Sequence, residues 1–123
     1  MDDTQIQKWL EEGVNLEESS LFRALGRSVH SGALHSQAPE EQLQDQLEEV
    51  GRKWYKLKTP EIKLLICNNE KIRQAAESEN IMTVLTVASL IFPLIQSLAT
   101  PGSIVIVSCL IARQGIRNWC ENT

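Results

Sequence analysis

NIMTVLTVASLIFPLIQSLATPGSIVIVSCLIA, residues Asn80 to Ala112, contains no aspartate, glutamate, lysine or arginine. Glu79 is the last charged residue before these 33 positions, and Arg113 is the first one after them. An uncharged tract of this length presents too much apolar surface to remain in contact with water. It must therefore be covered by the rest of the chain, by a partner chain or by a lipid bilayer.

A turn at residues 100–103, with the sequence TPGS, divides the uncharged tract into two arms. The first arm, 81–99, is predicted to be a helix that Asn80 caps. The second arm, 104–112, is apolar nearly all round, which on a helix indicates burial on every side. The two arms together predict an apolar helical hairpin that extends over about 80–120.

Two apolar runs leave a second fold open. Residues 62–67 read IKLLIC and residues 104–111 read IVIVSCLI, and short runs of this kind also occur as buried strands. Strands at both places would give a small α/β domain. We favour helices, because Thr59 and Pro60 form a typical helix opening just before the first run.

Upstream of the hairpin, apolar residues recur at helical spacing. The clearest series is Leu43, Leu47, Val50 and Trp54, at positions i, i+4, i+7 and i+11. Such series, together with capping residues and prolines, predict four amphipathic helices at about 4–13, 16–30, 39–57 and 60–78. We therefore predict an all-α fold, in which residues 1–123 form one domain: a compact bundle of about six helices that includes the C-terminal apolar hairpin.

The charges are distributed unevenly along the chain. Residues 1–50 carry 11 acidic and 3 basic side chains, whereas residues 51–123 carry 5 acidic and 9 basic ones. The pI of about 5.2 argues against a nucleic-acid-binding protein, because such domains are usually basic. We expect the acidic and basic faces to pair within the fold or between copies.

The sequence contains none of the motifs that indicate catalysis, nucleotide binding or metal binding. His30 and His35 have no cysteine or carboxylate at ligand spacing nearby, and zinc sites normally use three or four protein ligands. We therefore predict no catalytic residue, no metal, no cofactor and no small-molecule substrate. On this basis the protein is not expected to be an enzyme.

Cysteine usage and the N-terminal residues bear on the cellular compartment. Cys67, Cys109 and Cys120 are odd in number and have no CxxC spacing, so we expect reduced thiols rather than a disulfide framework. The N-terminal sequence MDDTQIQKWL is acidic and polar and does not have the pattern of a signal peptide. Both observations favour a cytoplasmic protein.

Two functional hypotheses follow from the uncharged tract. The first is a non-enzymatic helical interaction or adaptor module that buries the hairpin and associates with a protein partner or with itself. The alternative is a small membrane-associated effector that inserts the 80–112 hairpin into a bilayer. In either case, the candidate contact residues for the partner or the membrane are large apolar side chains of the hairpin region: Ile91, Leu94, Ile95, Ile106, Leu110 and Trp119.

Overall fold

Seven α-helices account for the regular structure of residues 3–29, 40–78 and 83–121, the parts of the chain that the computed structural model describes. The predicted all-α fold is confirmed. The α/β alternative is wrong, because residues 62–66 and 104–111 are both helical. The helices are α1 (Asp3–Gly13), α2 (Glu18–Val29), α3 (Glu40–Ile66), α4 (Glu70–Glu77), α5 (Val84–Ile95), α6 (Pro101–Gln114) and α7 (Ile116–Glu121).

Helix α6 lies at the centre of the bundle and packs against α1, α2, α5 and α7. Nearly all of its residues from Ser103 to Ala112 are buried, as its apolar sequence predicts. Burying one large aliphatic side chain contributes about 1.5–3 kcal/mol, so this helix supplies much of the driving force for folding. None of the helices described is both long enough and apolar enough to cross a membrane.

The turn between α5 and α6 is fixed by hydroxyl groups. The Thr100 side chain caps α6 by accepting a hydrogen bond from the Ser103 backbone N–H, at 3.5 Å, and Pro101 occupies the first turn. The Ser103 side chain is buried, and its hydroxyl lies 2.7 Å from the Ser28 hydroxyl on α2. The predicted cap of the first arm, Asn80, lies outside the described residues, and Thr83 caps α5 instead.

Helix α3 corrects the predicted boundary at residues 57–60. One continuous helix runs through Pro60 to Ile66, where two helices, 39–57 and 60–78, were expected. Proline removes one backbone hydrogen bond inside a helix, but the chain beyond it places Ile62 and Ile66 fully in the core. Burial of these two side chains outweighs the lost bond. The break falls at Cys67 and Asn68, and α4 then begins after a new cap, Asn69, whose side chain accepts a hydrogen bond from the Ile72 N–H at 3.2 Å.

Helices α2 and α3 cross at two glycines. A Cβ atom on Gly26 would overlap the carbonyl oxygen of Leu47, and a Cβ on Gly51 would overlap that of Phe22. Because backbone atoms cannot move aside as a flexible side chain can, only glycine permits this approach. The backbones of α2 and α3 are therefore in direct contact where the two helices cross.

A disulfide joins Cys67, at the end of α3, to Cys120 in α7. The two Cα atoms are 5.8 Å apart although the residues are separated by 53 positions in the sequence. The expectation that all three cysteines are reduced is therefore wrong for this pair, and Cys109 is a buried free thiol. Spacing did not reveal the pair because the tertiary fold, and not the sequence, brings the two helix ends together.

Candidate interaction surface

The hairpin residues expected to contact a partner or a membrane lie mostly inside the protein. Four of them are buried in the hydrophobic core, and the other two are half-buried and pack against it. A partner could reach the buried four only if the hairpin left the bundle. The buried residues are Ile91, Ile95, Leu110 and Trp119, and the half-buried ones are Leu94 and Ile106.

The most exposed large apolar side chains lie on the second half of α3. Leu57 is 76% exposed and Leu64 is 69% exposed, and Leu65 beside them is 40% exposed. Because seven residues make almost two helical turns, Leu57 and Leu64 lie on the same face of the helix. Pro60 is exposed between them. We call this surface, formed by Leu57, Pro60 and Leu64, the outer face of α3.

The opposite side of the same helical stretch faces the core. Ile62 and Ile66 are completely buried, and the half-buried Tyr55 packs its ring edge-on against Phe22, with ring centres 5.5 Å apart. These positions lie roughly half a turn away from Leu57 and Leu64. The second half of α3 therefore has two apolar sides, and the described part of the chain covers only one of them.

The outer face continues a regular apolar series. The spacing of four and three residues that begins with Leu43, Leu47, Val50 and Trp54 extends to Leu57 and, after Glu61, to Leu64. Alternation of this kind is the heptad spacing of helices that pair side by side. Of the series, only Leu47 is buried in the bundle, whereas Leu43, Val50 and Trp54 are half-buried. This apolar seam spans 22 residues, from Leu43 to Leu64. Its first half is buried or half-buried, with Trp54 packed against the core, and only Leu57 and Leu64 are largely exposed.

Charged side chains lie on the same helix as this seam. They are mainly acidic in the first half of α3 and mainly basic in the second half. Glu49 lies 3.0 Å from Lys53, and Lys58 lies 3.9 Å from Glu61. Both pairs join neighbouring positions on one helix and are largely exposed to solvent, and ion pairs of this kind contribute little to stability. Lys56 is exposed and has no ion pair within the described ranges.

A shallow, mainly apolar groove of about 500 Å³ lies along the same stretch of α3. Lys63 at its edge is held over the Trp119 ring of α7, with its amino nitrogen 5.3 Å from the ring centre. The groove widens the accessible apolar surface beside the outer face. Its lining residues are Tyr55, Lys56, Thr59, Pro60 and Lys63.

A second, more enclosed cavity of about 330 Å³ lies between α2, α3 and α6. Burial raises the pKa of its Tyr55 phenol to about 12, while a hydrogen bond from the Trp119 side chain lowers it and the charge of Glu18 raises it. The phenol is therefore protonated at neutral pH and does not serve as a base. The lining residues are Glu18, Phe22, Tyr55, Leu110, Arg113 and Gln114.

The buried thiol of Cys109 has no arrangement that would activate it. Burial raises its pKa to about 11, although the charge of Arg113 lowers it. Its Sγ lies 3.8 Å from the carbonyl oxygen of Leu10, a weak hydrogen bond that the thiol donates. A nucleophilic cysteine needs thiolate character at neutral pH, which this environment disfavours. Histidine, cysteine, aspartate and glutamate do not cluster as a metal site within the described residues.

The sequence contained a signal for the outer face, but the predicted helix boundary concealed it. The series from Leu43 to Trp54 was recognised, and its continuation to Leu57 and Leu64 was lost when Thr59-Pro60 was taken as the start of another helix. The close approach at Gly26 and Gly51 had no comparable signal. A comparison with family models, curated proteins and solved structures found no match to this chain.

Proposed function

We propose that this protein is a non-enzymatic helical interaction module that binds a helix of a protein partner along the outer face of α3. The observation that carries the proposal is the exposure of Leu57 and Leu64, two turns apart on one helix whose other side is fully packed. A partner helix that lays its apolar face along the outer face of α3 would remove both leucines from water. About 25 cal/mol is gained for each Å² of apolar surface buried in this way.

The predicted hairpin contacts support this proposal less well than α3 does. Ile91 and Ile95 have no exposed surface, so a partner could reach them only at the cost of opening the core. The membrane alternative has the same difficulty, because insertion of 80–112 would remove α6 from the bundle. Localisation in the cytoplasm remains a prediction. The Cys67–Cys120 disulfide bears on this prediction, because disulfides persist mainly in compartments where conditions are oxidising.

Site-specific photo-crosslinking in cells that make the protein tests the proposal. A photoreactive residue at Leu57 should form an adduct with a defined protein, and one at the exposed Gln74 of α4 should not. The purified adduct partner should then bind the wild-type chain and bind Leu57→Glu at least about tenfold more weakly. Adducts that are the same from both positions, or none from Leu57 and Leu64, would overturn the assignment.

A further inference from the structure

We infer that the partner helix on the outer face of α3 is acidic along one edge of its apolar face, where it meets the lysines beside Leu57 and Leu64. The inference rests on the proposed function and names the chemistry of the partner. Its basis is the unequal charge on the two sides of the outer face. The occupant is an amphipathic helix with a row of apolar side chains and a row of carboxylates on one flank.

One side of the outer face, which we call the lysine flank, is formed by Lys53, Lys56 and Lys63. Lys56 and Lys63 are seven residues apart and therefore lie on one side of the helix, and Lys53 lies about one turn before Lys56. Glu49 lies 3.0 Å from Lys53 and balances its charge. Beyond Lys53, the only acidic residue of α3 is Glu61, which lies on the other side of the leucines. The lysine flank therefore has an excess of positive charge.

The opposite side of the outer face has no such excess. Lys58 and Glu61 lie there, 3.9 Å apart, next to the partly exposed Leu65. Because each of these charges already has an opposite charge nearby, a charged partner gains little on this side. The lysine flank therefore determines both the favoured charge of the partner and the edge of its apolar face that carries the charge.

The shallow apolar groove of about 500 Å³ lies on the lysine flank and can receive a side chain of the partner. Tyr55 and Pro60 contribute apolar surface to it, and Lys56 and Lys63 also line it. The amino nitrogen of Lys63 lies 5.3 Å from the centre of the Trp119 ring, which holds this lysine beside the groove. A glutamate of the partner can lay its methylene groups on the apolar lining and bring its carboxylate to an ammonium group.

Two other occupants fit these charges less well. A second copy of this chain would place the lysines of two outer faces side by side, which is unfavourable. An anionic bilayer also attracts lysines, but a helix that lies on a bilayer favours basic residues on both sides of its apolar face. Here Glu61 lies on one of the two sides. An acidic helix matches the asymmetry better than either.

The binding of two designed helical peptides to the full chain tests the inference. Both carry leucines at i, i+3 and i+7, and they differ only in one flank, which carries glutamates in one peptide and lysines in the other. By fluorescence anisotropy, wild type should bind the glutamate peptide at least about tenfold more tightly, with a preference that shrinks as the salt concentration rises. Equal affinities, or no binding of either peptide, would overturn the inference. Binding to phosphatidylserine–phosphatidylcholine vesicles without binding of the glutamate peptide would also overturn it and would indicate a membrane surface.

Two charge reversals of equal size test which side of the outer face is used. Lys56→Glu on the lysine flank should weaken binding of the glutamate peptide at least about tenfold, and Lys58→Glu on the opposite side less than about threefold. Both changes alter the net charge of the chain equally, and circular dichroism should show both variants folded like wild type. Equal losses from the two variants would mean that only the overall charge matters, which contradicts the inference.

The protein that forms adducts at Leu57 separates this inference from the proposed function. If Leu57→Glu weakens its binding but Lys56→Glu and high salt do not, the acidic chemistry is wrong and the helical interaction module stands. If Leu57→Glu leaves its binding intact, or if no adduct forms at Leu57 or Leu64, the proposed function fails as well.

Discussion

Helices α6 and α3 both carry many apolar residues, yet the bundle covers them differently. Helix α6 is surrounded by other helices, and from Ser103 to Ala112 scarcely any side chain reaches solvent. The second half of α3 buries Ile62 and Ile66 completely and leaves Leu57 and Leu64 largely exposed. A helix that is apolar all round must lie at the centre of a fold, whereas a helix with two apolar sides can belong to a fold on one side and remain open on the other. The difference locates the centre of the core in α6 and leaves the apolar surface of our proposed interaction on α3.

The largest effect we expect is at the centre of α6. Val107→Asp would place a carboxylate where no solvent reaches, which costs on the order of 5 kcal/mol or more and should abolish the fold. Circular dichroism and proteolysis would show an unfolded chain. Leu57→Asp on α3 is the matched control and should fold normally. Normal folding of both variants would mean that α6 is not the centre of the core.

The next effect concerns the bond that holds the end of α3 against α7. Cys120→Ser removes the disulfide that joins two cysteines 53 positions apart in the sequence. For a closed loop of that size, the chain-entropy model gives a loss of about 4 kcal/mol in unfolding free energy. Chemical denaturation should show the lower stability, and reduced wild type should match the variant. Equal stability of oxidised and reduced wild type would contradict the prediction.

The glycine crossing of α2 and α3 predicts a contrast between two Gly→Ala changes. Gly26→Ala should destabilise the protein by about 3 kcal/mol, because the new methyl group overlaps a backbone carbonyl that cannot move aside without separating the helices. Gly102→Ala meets no atom within 4 Å and should leave stability unchanged or raise it by about 0.5 kcal/mol. Thermal unfolding of both variants measures the contrast, and similar losses from the two would refute it.

The stability of the protein should also fall at alkaline pH, because of Tyr55 on the core side of α3. The pKa of Tyr55 is raised from 10.0 to about 12, so the folded state retains a proton that the unfolded state loses. This contribution to stability is complete below pH 10 and is lost as the pH rises through 12, by about 3 kcal/mol at most. Tyr55→Phe should show a smaller fall in unfolding free energy between these two pH values. The residual fall should include Cys109, whose pKa is likewise raised by burial, from 9.0 to about 11.

The smallest effect on stability is expected on the outer face itself. Leu57→Asn and Leu64→Asn should each change the unfolding free energy by less than about 0.5 kcal/mol, because substitutions at exposed positions rarely exceed this. Equilibrium chemical denaturation of each variant beside wild type provides the measurement. A loss of several kcal/mol from either change would mean that the chain itself covers this face, and the contrast between α3 and α6 would disappear.

Several elements could be predicted because their determinants are local. The uncharged residues from Asn80 to Ala112 required burial wherever they lay, and two helices were expected within them. The connection between these helices lies at 96–100, slightly before the predicted TPGS turn at 100–103, because Thr100 caps α6 and Pro101 begins it. The helix at 3–13 matched its apolar stripe closely, as did the one at 18–29. In each case neighbouring residues supply the spacing, the cap or the turn, and no distant contact changes the outcome.

The errors occurred where distant contacts compete with local preference. Thr59 and Pro60 have the local chemistry of a helix start, but the burial of Ile62 and Ile66 against the bundle keeps α3 continuous through them. The heptad series, and with it the outer face, became visible only once that continuity was known. The candidate contacts in the hairpin remain a prediction: they were chosen for their apolar character, which does not distinguish a residue in a core from one on a binding surface.

The sequence by itself determined that the uncharged tract must be covered, and it favoured helices over strands, since both follow from side-chain polarity and from the spacing of neighbouring residues. Only the tertiary structure decided which helices provide the cover, which apolar side of α3 stays open, and that Cys67 meets Cys120. These outcomes depend on which surfaces meet in space. That is set by the fit of whole helices, such as the glycine crossing of α2 and α3, and no local pattern in the sequence contains it.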